Sequence, residues 1–187
     1  GRPRGHIYTI DADSGQLFSV GATGFEGIAH LSFSAEGILY GWATGQGLIT
    51  IDTQTGKGTL VLPTDGMDIE YQMLGTAEGL LYYGTNQDEL WKYNPLTSEV
   101  ANVCSNLPHK TEAMVGLSNS LRLLGSHGHD RLRFLDTQIC QLLTQVSLPT
   151  PKFDDIEGLV IGNDDADGVS GRLFRTVFLH GPSPVGW

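Results

Sequence analysis

Four glutamates recur along the chain at nearly regular distances, and their type and spacing suggest metal chemistry. They are Glu26, Glu70, Glu112 and Glu157, separated by 44, 42 and 45 residues. Each begins a short run that is mostly apolar or small. Carboxylate oxygens without a neighbouring cysteine are ligands for a hard cation, so the pattern indicates Ca²⁺ or Mg²⁺ rather than Zn²⁺.

Four carboxylates gathered in a ring would need a balancing interaction. Two carboxylates about 6 Å apart repel by roughly 3 kcal/mol at an effective dielectric near 20. The sum over a ring exceeds ~10 kcal/mol, which approaches the whole stability of a domain, about 5–15 kcal/mol. A bound cation, partial protonation, wide separation in water, or hydrogen bonds from backbone amides can each supply the balance. The sequence therefore leaves open a metal site and a purely structural role.

A second acidic group lies near the end of the chain, in the segment NDDADGVSG. Asn163, Asp165, Asp167 and Gly168 fit the first six positions of the calcium-loop pattern D-x-[DN]-x-[DN]-G. The twelfth position, which holds a glutamate in the full motif, is Phe174. A solvated acidic turn is the favoured interpretation, and a second calcium site is the alternative.

Nucleophilic catalysis has no support in the sequence, because the G-x-S-x-G motif is absent. His30 follows Glu26 by four residues and so lies on the same side of an extended strand. A channel residue is one interpretation of His30, and a hydrogen-bonded histidine of an inner strand is the favoured one.

The candidate residues belong to a repeat of about 42 residues. Its anchor is an Asp or Asn followed by Ser, Thr or Gly, which is hairpin-turn chemistry. Each unit divides into four short runs rich in β-branched, aromatic and aliphatic residues, which indicates four strands and leaves almost no room for helices. The anchors are Asp11, Asp52, Asn94 and Asp136, spaced by 41, 42 and 42 residues.

A repeat of this length with four antiparallel strands predicts a propeller blade. The chain begins with the last two strands of a unit and finishes with the first two. We therefore expect an all-β, four-bladed propeller in a single domain over residues 1–187, with the glutamates on the innermost strands. Three whole blades cover about 24–64, 65–106 and 107–150, and a composite blade joins about 6–22 to 153–181.

The phrases GILYGWAT (37–44) and TIDTQTG (50–56), with their repeats, resemble the β-propeller repeat superfamily, in the style of bacterial secreted repeats. The resemblance covers about residues 6–181 and specifies a fold rather than a reaction. It implies blades around a central channel, a ligand site at one end of that channel, and an extracellular or cell-surface location. No Trp-Asp pair ends a unit, which departs from WD40 repeats.

The charge balance limits the classes of partner that the chain is expected to bind. Eleven Lys and Arg against 21 Asp and Glu give a net charge of −10, which argues against nucleic acid and anionic membranes. No apolar run approaches the roughly 18 residues of a membrane span. We expect a non-catalytic binding scaffold whose partners are a metal ion and a protein or polar small molecule at the channel mouth. A metal-dependent hydrolase or lactonase is the alternative.

The two cysteines are predicted to stay unpaired. Cys104 falls near the end of one outer strand, while Cys140 falls in the turn before the equivalent strand of the next unit. Because the two positions differ within the repeat, the sequence argues against a disulfide.

Overall fold

The fold was analysed in a computed structural model of the chain. It describes residues 5–11, 13–34, 36–64, 74–77, 79–85, 88–107, 111–118, 120–126, 131–147, 155–160 and 176–180. Within these ranges the chain forms sixteen strands and no helix, so none of the described segments is a helix that could cross a membrane. The expectation of an all-β chain is confirmed there.

The strands are four to seven residues long, as the short runs of the repeat predict. Their bounds are β1 (His6–Ile10), β2 (Leu17–Ala22), β3 (Ile28–Phe33), β4 (Leu39–Ala43), β5 (Gly47–Ile51), β6 (Gly58–Pro63), β7 (Leu74–Ala77), β8 (Leu80–Thr85), β9 (Glu89–Tyr93), β10 (Val100–Cys104), β11 (Thr111–Gly116), β12 (Leu121–Ser126), β13 (Arg131–Asp136), β14 (Gln141–Ser147), β15 (Asp155–Val160) and β16 (Thr176–His180).

Among the residues that the structure describes, each strand pairs only with its sequence neighbours. Three antiparallel meanders of four strands run in the orders β3–β4–β5–β6, β7–β8–β9–β10 and β11–β12–β13–β14. The pairs β1–β2 and β15–β16 form two separate two-stranded sheets among the described residues. Four antiparallel strands per unit are therefore present three times, while the joining of the two pairs into a fourth blade stays a prediction.

The turns between β1–β2, β5–β6, β9–β10 and β13–β14 repeat one conformation. In the first three, the residue four positions after the anchor donates its N–H to the anchor carbonyl at 2.8 Å. In all four, Oδ1 of the anchor accepts a backbone N–H two or three positions on, at 2.7–2.9 Å. These bonds are the physical basis of the Asp or Asn in each repeat.

The last residue of each of these turns has a left-handed backbone. Gly15 and Gly56 have φ of 69° and 77°, and Ser98 and Cys140 have φ of 59° and 51°. Glycine meets this requirement without steric cost, whereas Ser98 and Cys140 do not.

The chain divides into two compact units, Gly1–Glu70 and Tyr71–Trp187. The core of the first unit lies between the β1–β2 pair and one face of sheet β3–β6. The alternation of side chains along a strand explains this core, because every second residue of β4 and β5 faces the β1–β2 pair. The buried members are Ile7, Leu39, Ala43, Ile49 and Ile51.

Two glycines allow the turn between β5 and β6 to pack directly on β2 in the first unit. A Cβ on Gly56 would lie 2.6 Å from the carbonyl carbon of Gly21, and a Cβ on Gly21 would overlap the Thr55 carbonyl oxygen. The N–H of Gly58 donates to the Thr23 carbonyl at 2.9 Å beside this contact. Backbone therefore meets backbone here, with no room for a side chain.

In the second unit, sheet β7–β10 packs face to face on sheet β11–β14. The core between them contains Tyr82, Leu90, Leu107, Met114, Leu124 and Leu135. The opposite face of sheet β11–β14 buries Ala113, Leu123 and Leu132. The first strands of successive repeat units are neighbours in space, because β11 lies against both β7 and β15.

Cys104 and Cys140 form a disulfide, so the prediction of unpaired cysteines is wrong. Cys104 is the last residue of β10, Cys140 ends the turn between β13 and β14, and their Cα atoms are 5.4 Å apart. The two positions differ within the repeat, but the two sheets stack face to face. The end of one outer strand thereby meets the outer turn of the next sheet, and position within a repeat does not report that contact.

Candidate functional site

Glu112 and Glu157 occupy the same structural position in their strands. In β11, Thr111 pairs with Ser126 and Ala113 with Gly125, which leaves Glu112 as the extra residue of a β-bulge. In β15, Ile156 pairs with Leu179 and Gly158 with Phe178, which leaves Glu157 as the extra residue. A β-bulge redirects the chain locally and is frequent next to functional sites.

The two bulges lie on neighbouring strands, because β15 packs against β11 and β12. The backbone of the second unit thus brings Glu112 and Glu157 to matching positions on two adjacent first strands. The ring of four glutamates that the sequence predicted stays a prediction.

Glu26 precedes β3 and is exposed. Strand β3 has a register shift of its own, in which Ala29 and His30 lie between the pairs Ile28–Ala43 and Leu31–Gly41. Glu26 is therefore not part of that bulge, and its membership of the glutamate set stays a prediction.

The remaining predicted ligands, Glu70, Asn163, Asp165 and Asp167, lie outside the described residues. Within the part of the chain that the structure describes, no three His, Cys, Asp or Glu side chains cluster closely enough to hold a metal ion. Both predicted metal sites therefore stay predictions.

His30 belongs to the bulge of β3 and is partly buried. Burial lowers the pKa of its imidazole to about 4, because the charged form loses hydration. The ring is therefore neutral at pH 7. The sequence pointed to His30 through its distance from Glu26, whereas the structure relates it to the bulge itself.

Acidification is expected to destabilise the chain through His30. The unfolded imidazole titrates near its ordinary pKa of 6.5 and the folded one near 4. Protonation therefore favours the unfolded state as the pH falls from 6.5 towards 4, with a loss of up to about 3 kcal/mol. Denaturant unfolding at pH 7 and pH 4.5 measures this loss, and a His30→Gln variant should lose less stability over the same interval. An equal loss in both proteins would contradict the assignment.

The comparisons with known proteins agree on the fold. No protein family model matches the chain, and no curated protein matches it. The solved structure of Myxococcus xanthus glutaminyl cyclase is similar with a TM-score of 0.60 at 15% identity, covering 73% of this chain and 58% of that one. The computationally designed Ika4 protein has a TM-score of 0.50 at 16% identity, with 77% and 86% covered.

A third similar structure is a chain of the mitotic checkpoint complex, with a TM-score of 0.56 at 10% identity over 83% of this chain and 49% of that one. The chain thus spans about half the length of two of these structures. At such identities the likeness concerns the fold alone. Together with the three four-stranded meanders, it shows that the fold is β-propeller-like.

Proposed function

We propose that the chain is a non-catalytic binding scaffold that holds a hard divalent cation, Ca²⁺ or Mg²⁺, at the glutamates of its first strands. The observation that carries this proposal is the shared bulge position of Glu112 and Glu157 on neighbouring strands. Glu70 and Glu26 are the further candidate ligands, and Asn163, Asp165 and Asp167 are candidates for a second site.

A cation explains why two carboxylates would be kept at matching positions. Two carboxylates about 6 Å apart would repel by roughly 3 kcal/mol near the surface, and a divalent ion between them turns that repulsion into attraction. Ca²⁺ accepts oxygen ligands in a flexible coordination geometry, whereas Mg²⁺ requires stricter octahedral geometry. The net charge of −10 also attracts cations to the chain as a whole.

The disulfide supports a secreted or surface location as part of this proposal. Disulfides persist in oxidising compartments and are rare in reducing ones. Extracellular calcium modules bind with dissociation constants of about 10⁻⁴–10⁻³ M, so a weak calcium site would suffice in such a location. A protein or a polar small molecule at the channel mouth completes the proposed set of partners.

Calcium is expected to stabilise the chain. Binding raises the free energy of unfolding by about 2.7 kcal/mol at a hundredfold excess over the dissociation constant. Chelation should lower the melting temperature and millimolar Ca²⁺ should restore it. A Glu112→Gln, Glu157→Gln double variant should lose this response, because Gln preserves shape and removes charge.

Two control variants separate the sites. Glu26→Gln changes an exposed glutamate that precedes β3, and a site formed by Glu112 and Glu157 alone predicts that this variant keeps the response. An Asp165→Asn, Asp167→Asn variant tests the acidic loop. If the loop variant loses the response and the Glu112, Glu157 variant keeps it, the proposed site is wrong. If Glu26→Gln loses the response as well, the ligand set extends to the full ring.

The proposal includes closure of the propeller as four blades, with β1–β2 and β15–β16 forming the composite blade. A circular permutant tests closure, with residue 181 joined to residue 5 by a short linker and new termini opened beside Leu96. That residue lies at a turn tip and is 94% exposed. We expect one cooperative unfolding transition with a midpoint near the parent's. Folding of a long-linker permutant but not of the short-linker one would show that the ends lie apart.

A further inference from the structure

One face of sheet β11–β14 carries an unusual row of basic residues. Arg131 and Arg133 alternate along β13, so both point to the same side of the sheet. This side is the one that packs on sheet β7–β10, because Arg133 pairs with Leu124, a member of that core. The signal in the sequence is the phrase RLR at residues 131–133.

Arg133 is 9% exposed, and its Nη1 atom is buried without a hydrogen-bond partner. A buried polar group without a partner loses hydration with no compensation, and a charged one loses most. Burial and then the positive charge of Arg131 lower the pKa of Arg133. Desolvation and repulsion therefore both act against this guanidinium in the unliganded chain.

Arg122, on the same face, is a buried arginine whose Nη1 atom has hydrogen-bond partners. Its Nη1 donates to the carbonyls of Ser118 and Leu121 at 2.6 and 3.2 Å. Its guanidinium carbon also lies 4.5 Å from the centre of the Tyr82 ring, a cation–π contact. The Nη1 atom of Arg133 makes no comparable hydrogen bonds.

Among the described residues, the outer side of this face is uncovered. One cross-strand row runs from Met114 through Leu124 and Arg133 to Gln145. Its first three members are buried, and Gln145 is exposed. Within the part of the chain that the structure describes, cover by the neighbouring sheet therefore ends at Arg133, so a ligand can approach from β14.

Two polar side chains on β14 complete the face. Gln145 pairs with Arg133, and Ser147 pairs with Arg131. Cross-strand partners share a face, so two guanidinium groups, an amide and a hydroxyl lie on the same side of the sheet edge. Arg131, Gln145 and Ser147 are exposed.

We propose that the face formed by Arg131, Arg133, Gln145 and Ser147 binds a carboxylate. A guanidinium donates two parallel N–H groups, which match the two oxygens of a carboxylate. A monoanion fits a mostly buried position better than a phosphate dianion, since desolvation grows steeply with charge. The carboxylate can belong to a small organic acid or to a peptide, and the site is independent of the proposed cation site.

Acetate titration at constant ionic strength, against chloride, tests the site. The readout is the backbone amide resonances of Gln145 and Ser147 in ¹H–¹⁵N spectra, which every variant retains. We expect a saturable shift with acetate and none with chloride, and weaker binding by at least about tenfold in Arg133→Gln. Lys57→Gln, an exposed change in the first unit, is the control that should keep binding. An equal response to chloride would overturn the proposal.

Competition separates the ligand classes and sources. Inorganic phosphate binding more tightly than acetate would overturn the assignment to a carboxylate. A short peptide with a free C-terminal carboxylate is compared with its amide and with an amidated peptide bearing one internal Glu. Preference for either peptide over acetate identifies a protein partner, and equal binding of all free carboxylates identifies a small acid. Arg131→Gln should weaken each of these probes, which checks the site if Arg133→Gln fails to fold.

Discussion

Reduction of the Cys104–Cys140 disulfide is expected to lower the free energy of unfolding by about 4 kcal/mol. The two cysteines are 36 positions apart, and a closed loop of that length removes that much conformational entropy from the unfolded chain in the loop-entropy model. Denaturant unfolding with and without reductant measures the effect. The midpoint should fall while the transition remains cooperative.

Substitution of Cys140 is the appropriate control, because this residue is exposed whereas Cys104 is buried. Cys140→Ser should match the reduced protein and show no response to reductant. Cys140→Gly also removes the bond but relieves the left-handed backbone, and it should recover about 1 kcal/mol relative to Cys140→Ser. If reductant leaves the wild-type midpoint unchanged, the disulfide contributes no stability.

Replacement of Gly56 by alanine is expected to cost about 2–5 kcal/mol, because two separate penalties add. The left-handed backbone at φ 77° costs about 1–2 kcal/mol for a residue with a Cβ. The new methyl group would also lie 2.6 Å from the backbone of Gly21, and overpacking of this kind costs about 1–3 kcal/mol more. Denaturant unfolding of the variant measures the sum.

Gly15 provides a matched control for this change. It occupies the equivalent turn position in the same unit, with φ 69°, and a Cβ there would meet nothing within 4 Å. Gly15→Ala should therefore show the backbone penalty alone. Equal losses in the two variants would show that the close approach of Gly56 to Gly21 contributes nothing.

The sequence predicts features that depend on local hydrogen bonding. Asp11, Asp52, Asn94 and Asp136 reveal the turns because each side chain closes its own turn. The meander order follows from these turns, since short hairpins join sequence neighbours.

Features that depend on strand register or on sheet stacking are not predicted by sequence patterns. Residue spacing groups Glu26 with Glu112, whereas in the structure Glu26 precedes β3 and its bulge and Glu112 lies within the bulge of β11. The disulfide was missed because it joins two sheets whose contact no local pattern encodes. Pairing partners, rather than intervals, define equivalence between units.

Strand β14 has a consequence for the handling of the protein in concentrated solution. All seven of its residues are exposed, it lies at the edge of its sheet, and it contains neither a charge nor a proline. Charged side chains and prolines are the usual means by which a sheet edge discourages pairing with another molecule. Shelf life at high concentration should therefore depend on this strand, and a lysine in place of exposed Leu143 should extend it.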